Sequence, residues 1–303
     1  MKKLLFLFGC LLCLVIAGCS NQSNGKQNDG KEEASNETVT YESETGPVEM
    51  PAEPQRIVAL SNGPNVFALD GNLVGVDEWT KASPLFEEEM ADIEIVSEND
   101  PEGILALEPD LIIAGSHMEN LDELEKIAPT VIYTWGKLDY LEQQIEIGRL
   151  LNKEEEAQEW VDDFTKRAKA VGDKIKEKHR EDVSVSVFET DSKNFAVFGD
   201  NWARGTEILY QTMELEMPEK VQEGALADGY YNLSQETLPE YAGDFIVLSS
   251  MGEENEFTKS ETWQSIPAVE NNQVIEIDTQ EASYSDPATL EYLLDIFEEG
   301  FLQ

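Results

Sequence analysis

NKEEEAQEWVDDFTKRAKAVGDKIKEKHR, residues 152–180, lies near the middle of this 303-residue chain and decides how the flanking sequence is interpreted. Its acidic residues crowd the start and its basic residues the end, as the dipole of an α-helix favours. Apolar residues recur at intervals of three and four, the spacing of one helix face: Ala157, Trp160, Val161, Phe164, Ala168, Val171 and Ile175. The stretch predicts one amphipathic helix, about 42 Å long if unbroken from Lys153 to Arg180.

Short apolar runs alternate with helix-like stretches on both sides of this helix. Those before it are RIVAL (56–60), LVGV (73–76), IEIV (93–96), LIIAG (111–115) and TVIYT (130–134). Those after it are VSVSVF (183–188), FAVFG (195–199), FIVLSS (245–250) and QVIEID (273–278). Such alternation predicts an α/β fold class with two Rossmann-like lobes joined by one long bridging helix. A surface helix of a single larger domain is the alternative.

The N-terminus has the features of an exported lipoprotein. Lys2 and Lys3 precede an apolar run, Leu4 to Ile16, that is short for a membrane-spanning helix. IAGC, residues 16–19, resembles a bacterial lipobox, whose cysteine carries the lipid; an ordinary secretory signal with an incidental Cys19 is the alternative. The expected segments are a signal peptide at 1–18, a flexible tether at 19–37, an N-terminal lobe at 38–152, the bridging helix at 153–181 and a C-terminal lobe at 182–303.

Charge and residue usage exclude several functional classes. The chain has 63 acidic and 21 basic residues, a net charge of −42, which argues against nucleic acid or anionic lipid as a partner. Cys10 and Cys13 fall in the signal peptide, which leaves no thiol for a disulfide, metal site or nucleophile. No nucleotide-binding glycine motif or hydrolase elbow occurs. We therefore expect no enzyme activity, no intrinsic cofactor and no protein-held metal.

Six segments, in order along the chain, resemble the substrate-binding lipoproteins of iron–siderophore ABC importers, a helical-bridge (class III) group of periplasmic-binding-protein-like folds. They are EMPAEPQRIVAL (49–60), GILALEPDLIIAG (103–115), LEKIAPTV (124–131), LSQETLPEYAGDFIVLSS (233–250), WQSIPAVENNQVIEI (263–277) and YSDPATLEYLLD (284–295). The resemblance implies a monomer, lipid-anchored at the extracellular face of the cell membrane. It would bind a ferric siderophore, which itself holds the iron, and deliver it to a permease dimer driven by a cytoplasmic ATPase.

The same resemblance implies two docking residues. Glu102 and Glu236 match the glutamates, one on each lobe, that form salt bridges with permease arginines in the family. Paired charges far apart would fix the orientation of the two proteins and speed their encounter. The alternative is that both are acids in the first turn of a helix, where the dipole favours them.

The supply of basic residues indicates which siderophores fit. A tris-catecholate chelate is strongly negative and needs a cage of basic side chains, whereas hydroxamate and mixed citrate–hydroxamate chelates are nearer neutral. Outside the bridging helix, signal and tether, nine basic residues remain: Arg56, Lys81, Lys126, Lys137, Arg149, Lys193, Arg204, Lys220 and Lys259. This supply favours the hydroxamate or mixed type.

Candidate ligand-binding residues follow the predicted strands. Trp202-Ala203-Arg204 resembles the Trp-x-Arg element of hydroxamate-binding family members, and the sequence predicts a helix from about 205 to 214 after it. The other candidates are Trp135, Tyr284, Asn62 and Trp79, because aromatic faces cover apolar chelate arms and polar groups meet chelate oxygens. Alternatively, Arg204 pairs at the surface with Asp200 or Glu207, and Asn62 is only a helix cap.

Two other aromatic residues, Phe86 and Tyr133, are expected in the core. Two alternative functions remain at this point. One is a haem- or corrinoid-binding protein on the same scaffold, for which His117-Met118 would supply axial ligands. The other is a surface enzyme or an adhesin.

Overall fold

The computed structural model describes residues 37–190, 194–251 and 256–303. The described residues belong to one compact unit. Cys19, the predicted signal peptide and the predicted tether up to residue 36 lie outside the described residues. The described part begins with an antiparallel hairpin of strands β1 (Thr38–Ser43) and β2 (Gly46–Pro51), which the sequence analysis did not predict.

The N-terminal lobe is built on five parallel strands, in the spatial order β5-β4-β3-β6-β7. They are β3 (Ile57–Ala59), β4 (Leu73–Val76), β5 (Glu94–Ile95), β6 (Leu111–Gly115) and β7 (Thr130–Tyr133). Both faces of this sheet are covered, which explains why β3 and β6 are continuous apolar runs, entirely buried. The helices are α1 (Gly63–Phe67), α2 (Glu78–Ala82), α3 (Pro101–Ala106), α4 (Leu121–Leu124) and α5 (Tyr140–Leu150), with a 3₁₀ turn at Pro84–Phe86.

The bridging helix is α6 (Glu154–Lys178), an unbroken helix of 25 residues and about 38 Å. Its start packs into the N-terminal lobe, where Ala157 belongs to the core that also holds β3, β6 and β7. Phe164, Ala168, Val171 and Ile175 belong instead to the core of the C-terminal lobe. Since one helix face serves both cores, α6 joins the lobes and is not an ordinary surface helix of one domain.

The C-terminal lobe has a mixed five-stranded sheet in the order β10-β9-β8-β11-β12. Its strands are β8 (Val185–Thr190), β9 (Phe195–Phe198), β10 (Tyr230–Leu233), β11 (Phe245–Ser250) and β12 (Val274–Asp278). β8, β11 and β12 are parallel, whereas β9 runs antiparallel to β8, and β10 antiparallel to β9. The helices are α7 (Glu219–Ala225), α8 (Leu238–Tyr241), α9 (Glu261–Gln264), α10 (Pro267–Glu270) and α11 (Pro287–Leu302), with 3₁₀ turns at Gln235–Thr237 and Glu256–Lys259.

The predicted fold class, two α/β lobes joined by one long helix, is confirmed. Phe86 and Tyr133 are buried in the core as predicted. The helix predicted from about 205 to 214 is present as a shorter π-helix, Glu207–Thr212, after which the Met213 N–H donates to the Ile208 carbonyl at 2.8 Å. None of the helices in the described ranges combines the length and apolar character that a bilayer crossing needs.

A candidate ligand-binding cleft

A cavity of about 460 Å³ lies between the lobes, within the size range of small-molecule sites. The N-terminal lobe lines it with loops that follow β3, β6 and β7, and the C-terminal lobe with loops that follow β9 and β12. Ligands of open α/β sheets bind beyond the carboxyl ends of their parallel strands, where the loops after β3, β6, β7 and β12 lie. Five of the six candidate ligand-binding residues line this cavity: Asn62, Trp135, Trp202, Arg204 and Tyr284.

Trp79 is the exception. It lies on α2 with 62% of its surface exposed, and it does not line the cavity. The cause is local, because Asp77 caps α2 by accepting the N–H groups of Trp79 and Thr80 at 3.0 Å. This cap fixes a short helix whose Thr80 face is buried, while Trp79 points to solvent. The position of Trp79 gives no support to the predicted contact with ligand.

The N-terminal wall of the cleft offers polar groups. Asn62 is the N-cap residue of α1, in the left-handed conformation with φ 56°, but its side chain makes no capping hydrogen bond. Two further polar groups belong to this wall. Ser61 Oγ and Gln143 Nε2 are buried and have no hydrogen-bond partner among the described residues. Buried polar atoms in proteins are nearly always paired, so these two suit a ligand's polar groups.

An aromatic cluster closes one end of the cleft across both lobes. The ring of Trp202 lies 5.3 Å from that of Trp135, edge to face, and 5.0 Å from that of Tyr230. Gly229, at φ +83°, makes room for this packing, because a Cβ there would lie 2.3 Å from the Trp202 ring. Tyr230 was not predicted, since it lies on β10, an edge strand without an apolar run.

Arg204 lies within the cleft, with its side chain 18% exposed. Its Nε donates to Glu189 Oε2 at 2.7 Å, and its guanidinium lies over the Phe198 ring, 5.6 Å from the centroid. The predicted alternative pairing with Asp200 or Glu207 is therefore wrong. The two Nη groups have no hydrogen-bond partner among the described residues. They form a planar pair of donors suited to chelate oxygens.

The backbone around Arg204 is left-handed over three successive residues. Ala203 has φ 56°, Arg204 φ 54° and Gly205 φ 77°. Left-handed geometry costs about 1–2 kcal/mol for each residue other than glycine, and such strain concentrates at functional sites. The Arg204 N–H donates to the Ala282 carbonyl at 2.9 Å, which helps hold this turn.

Glu207 supports the same turn through hydrogen bonds to its carboxylate. Its side chain is 3% exposed; Oε1 accepts the Ala203 N–H at 2.9 Å, and Oε2 accepts the Thr206 hydroxyl at 3.1 Å. Burial raises the pKa of this carboxyl, although the hydrogen bonds it accepts oppose the shift. The expected role of Glu207 as a surface partner of Arg204 is therefore wrong, because Glu207 is buried.

Tyr284 links the lobes as well as lining the cleft. Its hydroxyl donates to Asp77 Oδ1 at 3.0 Å and accepts from Thr80 Oγ1 at 3.2 Å, and both partners belong to the N-terminal lobe. Burial, and secondarily the charge of Asp77, raises the pKa of this phenol, so the hydroxyl stays protonated. Since the hydroxyl is engaged, Tyr284 offers a ligand mainly the face of its ring.

The two predicted docking glutamates lie outside the cleft. Glu102 is exposed in the first turn of α3, and Glu236 is exposed in the 3₁₀ turn after β10. Neither has a salt-bridge partner within the described part of the chain. Glu102 follows β5 and Glu236 follows β10. In each lobe, the carboxyl end of that strand lies at the same edge of the sheet as the carboxyl ends of the strands parallel to it. The two acids are therefore one on each lobe and free for a partner.

The residues proposed for haem ligation are separated. His117 is exposed and lines the cleft, but Met118 accepts the Gly115 N–H on its sulfur at 3.4 Å and packs into the N-terminal lobe. Within the described ranges, no group of three or more His, Cys, Asp or Glu side chains is arranged to hold a metal ion. Met118 is thus unavailable as an axial ligand in this arrangement.

Comparison with known families gives an independent result. Residues 59–281, which include both lobes and the bridging helix, match the family described as "Periplasmic binding protein". The chain belongs to the periplasmic binding protein family. Members of this family are substrate-binding proteins of ABC transporters, so the chain is a binding protein and not an enzyme.

Individual relatives of this periplasmic binding protein cover nearly all of it. The iron(3+)-hydroxamate-binding protein FhuD of Bacillus subtilis is 32% identical over 302 residues, 97% of this chain and 95% of the relative. The structure of the FhuD protein from S. pseudintermedius is 32% identical and superposes with a TM-score of 0.80, over 88% of this chain and 98% of that one. FhuD2 from Staphylococcus aureus, solved with bound ferrioxamine B, is 28% identical with a TM-score of 0.77, over 82% and 98%.

Proposed function

We propose that this protein captures ferric hydroxamate siderophores in the cleft between its lobes, as the extracellular binding protein of an ABC importer. The observation that carries the proposal is Arg204, whose two Nη groups stand unpaired within the described chain and which lines the same cavity as Trp135 and Trp202. Aromatic faces suit the apolar arms of such a chelate, and the guanidinium suits its oxygens. Relatives that bear the names of iron–hydroxamate binding proteins support the assignment.

A titration tests this function. Residues 35–303 would be titrated with ferrichrome, ferrioxamine B, a ferric citrate–hydroxamate chelate, ferric enterobactin and haemin, with tryptophan fluorescence as the signal. We expect a hydroxamate to quench with a Kd of about 1 μM or lower, a binding free energy of about −8 kcal/mol. Tightest binding to enterobactin or haemin, or no response to any ligand, would overturn the proposal.

We infer further that Cys19 carries a lipid that holds the protein at the outer face of the cell membrane. The lipobox-like residues 16–19 support this, and so does the polar composition of the segment after them. A Cys19→Ala variant, expressed in a Gram-positive host, should lose incorporation of labelled fatty acid. Labelling that persists in the variant would contradict the anchor.

Delivery to the permease completes the proposed function. The exposed, unpaired positions of Glu102 and Glu236, one on each lobe, support their role as the docking contacts. The protein would act as a monomer, presenting both acids and the mouth of the cleft to a permease dimer. The ATPase on the cytoplasmic side would drive release and transport.

A further inference from the structure

Glu189, the acid that pairs with Arg204, is itself held in place by hydrogen bonds. Glu189 lies at the end of β8, and one of its oxygens, Oε2, accepts both Arg204 Nε at 2.7 Å and the Ser249 hydroxyl at 3.2 Å. Ser249 is in turn paired with Thr279 at 2.8 Å. The Glu189 side chain is 26% exposed, so water only partly screens its charge. Its carboxylate is a fixed part of the site, although it does not line the cavity.

This arrangement cancels the positive charge of the cleft. Among the described residues that line the cavity, Arg204 is the only lysine or arginine. Asp139 and Glu207 line it too, and Asp139 is the cap of α5. Asp139 already offsets the charge of Arg204, and Glu189 adds a further negative charge directly against Arg204 Nε. Arg204 keeps its two Nη donors but offers an incoming anion little net attraction.

Ferric siderophore chelates differ in net charge, the property to which Arg204 and Glu189 would respond. Three hydroxamates, each singly negative, neutralise one ferric ion. When citrate replaces one hydroxamate, the α-hydroxycarboxylate and the free carboxylates leave the chelate negative. Moving such an ion from water into a partly buried site is costly unless a matching charge meets it.

We propose that Glu189 is the specificity-determining residue that makes this cleft select neutral or cationic ferric hydroxamates and reject anionic citrate–hydroxamate chelates. The inference rests on the proposed function and narrows its ligand class, since the supply of basic residues alone admits both kinds. Glu189 acts through Arg204: it fixes the guanidinium by one hydrogen bond and offsets its charge. Selectivity then arises from an unfavourable interaction with the wrong ligand as much as from a favourable one with the right ligand.

Three variants of the full-length protein, purified in detergent, separate charge from geometry. Glu189→Gln keeps an acceptor for Arg204 Nε and removes the charge, whereas Glu189→Asp keeps the charge and shortens the side chain. Glu298→Gln is the control, because Glu298 forms a comparable but exposed ion pair with Lys174 outside the cleft, at 2.7 Å. Each protein would be titrated with ferrichrome (neutral), ferrioxamine B (cationic) and a ferric citrate–bis-hydroxamate chelate (anionic), with tryptophan fluorescence as the signal.

The wild-type protein should bind the neutral chelate about tenfold or more tightly than the anionic one, a difference of about 1.4 kcal/mol or more. Glu189→Gln should raise the affinity for the anionic chelate, relative to that for ferrichrome, about tenfold. Glu189→Asp and Glu298→Gln should keep the wild-type preference.

Equal wild-type affinities for the neutral and anionic chelates would overturn the inference without any variant. An unchanged ratio in a folded Glu189→Gln protein would overturn it as well, and both results leave hydroxamate binding intact. Failure of the proposed function has a different signature, because the wild-type protein would then bind none of the three chelates.

Discussion

Arg204 lies in a backbone conformation that residues other than glycine rarely adopt, directly after Ala203 in the same conformation. The turn is held from three sides: by Glu207 below Ala203, by the Ala282 carbonyl on the Arg204 N–H, and by Glu189 on the guanidinium. A strained turn held this tightly fixes the direction of one side chain. That direction is into the cleft, with two donor groups free.

Replacement of Arg204 by alanine should therefore weaken ferric hydroxamate binding about tenfold or more, about 1.4 kcal/mol, and leave the protein folded. The expected loss comes from the two Nη donors and not from the fold, because the ion pair with Glu189 is partly solvated. Fluorescence titration measures the affinity and urea unfolding the stability. Arg180→Ala, which removes an exposed arginine from the same lobe, is the control. Unchanged affinity in the folded Arg204→Ala variant would remove Arg204 from the site.

Glu207 makes a pH-dependent contribution to stability. Burial raises its folded-state pKa above the ordinary value of 4.5, so the folded state holds this proton more tightly than the unfolded state. The contribution of Glu207 to the free energy of unfolding is thus full below pH 4.5 and is lost as the pH rises through the folded-state pKa. Glu207→Gln keeps an acceptor but cannot ionise.

The unfolding free energy of wild type minus that of Glu207→Gln should therefore fall as the pH rises from about 4.5. Urea unfolding of both proteins at a series of pH values measures this difference. Asp286, the other buried acid whose pKa burial raises, is present in both proteins and cancels. A difference that stays constant with pH would show that Glu207 titrates normally.

The N-terminal hairpin also contacts the loop that follows β7. Glu44, in its turn, accepts the Thr134 N–H and the Lys137 ammonium, both at 3.2 Å, on one carboxylate oxygen. Tyr41 of β1 shares a 2.9 Å hydroxyl contact with Tyr133. The hairpin thus holds the loop after β7, and Trp135 lies in the middle of that loop.

Glu44→Ala should free this loop and lower hydroxamate affinity several-fold. In a second background, where Trp135 is the sole tryptophan of the cleft, Glu44→Ala should also red-shift the emission of Trp135. The physical reason is that Trp135 is already 69% exposed, so its orientation depends on the loop's backbone. Glu49→Ala, an exposed acid on β2 of the same hairpin, is the matched control. If both variants behaved alike, the hairpin would have no part in positioning Trp135.

The elements that sequence predicted best are those with a strong apolar pattern. LVGV, LIIAG and FIVLSS match β4, β6 and β11 residue for residue, and the apolar stripe of α6 was correctly identified. The hairpin was missed because half of its strand residues are exposed and neither strand has an apolar run. The π-helix has only six residues, Glu207–Thr212, so the pattern after Gly205 predicted a helix without revealing its type.

The residues of the candidate site were likewise predicted only where the sequence itself gives a local signal. The aromatic residues and Arg204 were selected by their place after strands, which the sequence shows directly. Glu189 was not, because 15 residues separate it from Arg204 and nothing distinguishes it among 63 acids until the sheet and the left-handed turn bring the two together. The same holds for Gln143, which reaches the cleft only through tertiary packing, and for Tyr230, which packs against Trp202.

For the whole molecule, the two lobes are joined by α6 and by hydrogen bonds at the base of the cleft. Tyr284 bonds to Asp77 and Thr80, and Tyr140 of α5 bonds to Thr212 of the π-helix. These links favour small closure on ligand binding, so the two exposed glutamates would keep a nearly constant separation. A rigid pair of charges suits docking to a permease of fixed geometry.

A double variant, Glu102→Ala with Glu236→Ala, should therefore abolish siderophore uptake by cells while its affinity for ferric hydroxamate in solution stays unchanged. Each single variant should retain part of the uptake. Glu88→Ala with Glu223→Ala, which removes one exposed acid from each lobe, is the control. Full uptake by the Glu102/Glu236 double variant would dismiss these residues as the docking contacts.

The central claim is that a ferric hydroxamate lies in the cleft against Arg204. Crystals grown with ferrichrome, measured above the iron absorption edge, locate the metal without reference to the protein side chains. The account predicts one anomalous iron peak between the lobes, flanked by the rings of Trp135 and Trp202, with chelate oxygens in hydrogen-bonding distance of Arg204 Nη. An iron peak elsewhere, or chelate oxygens out of reach of Arg204, would contradict it.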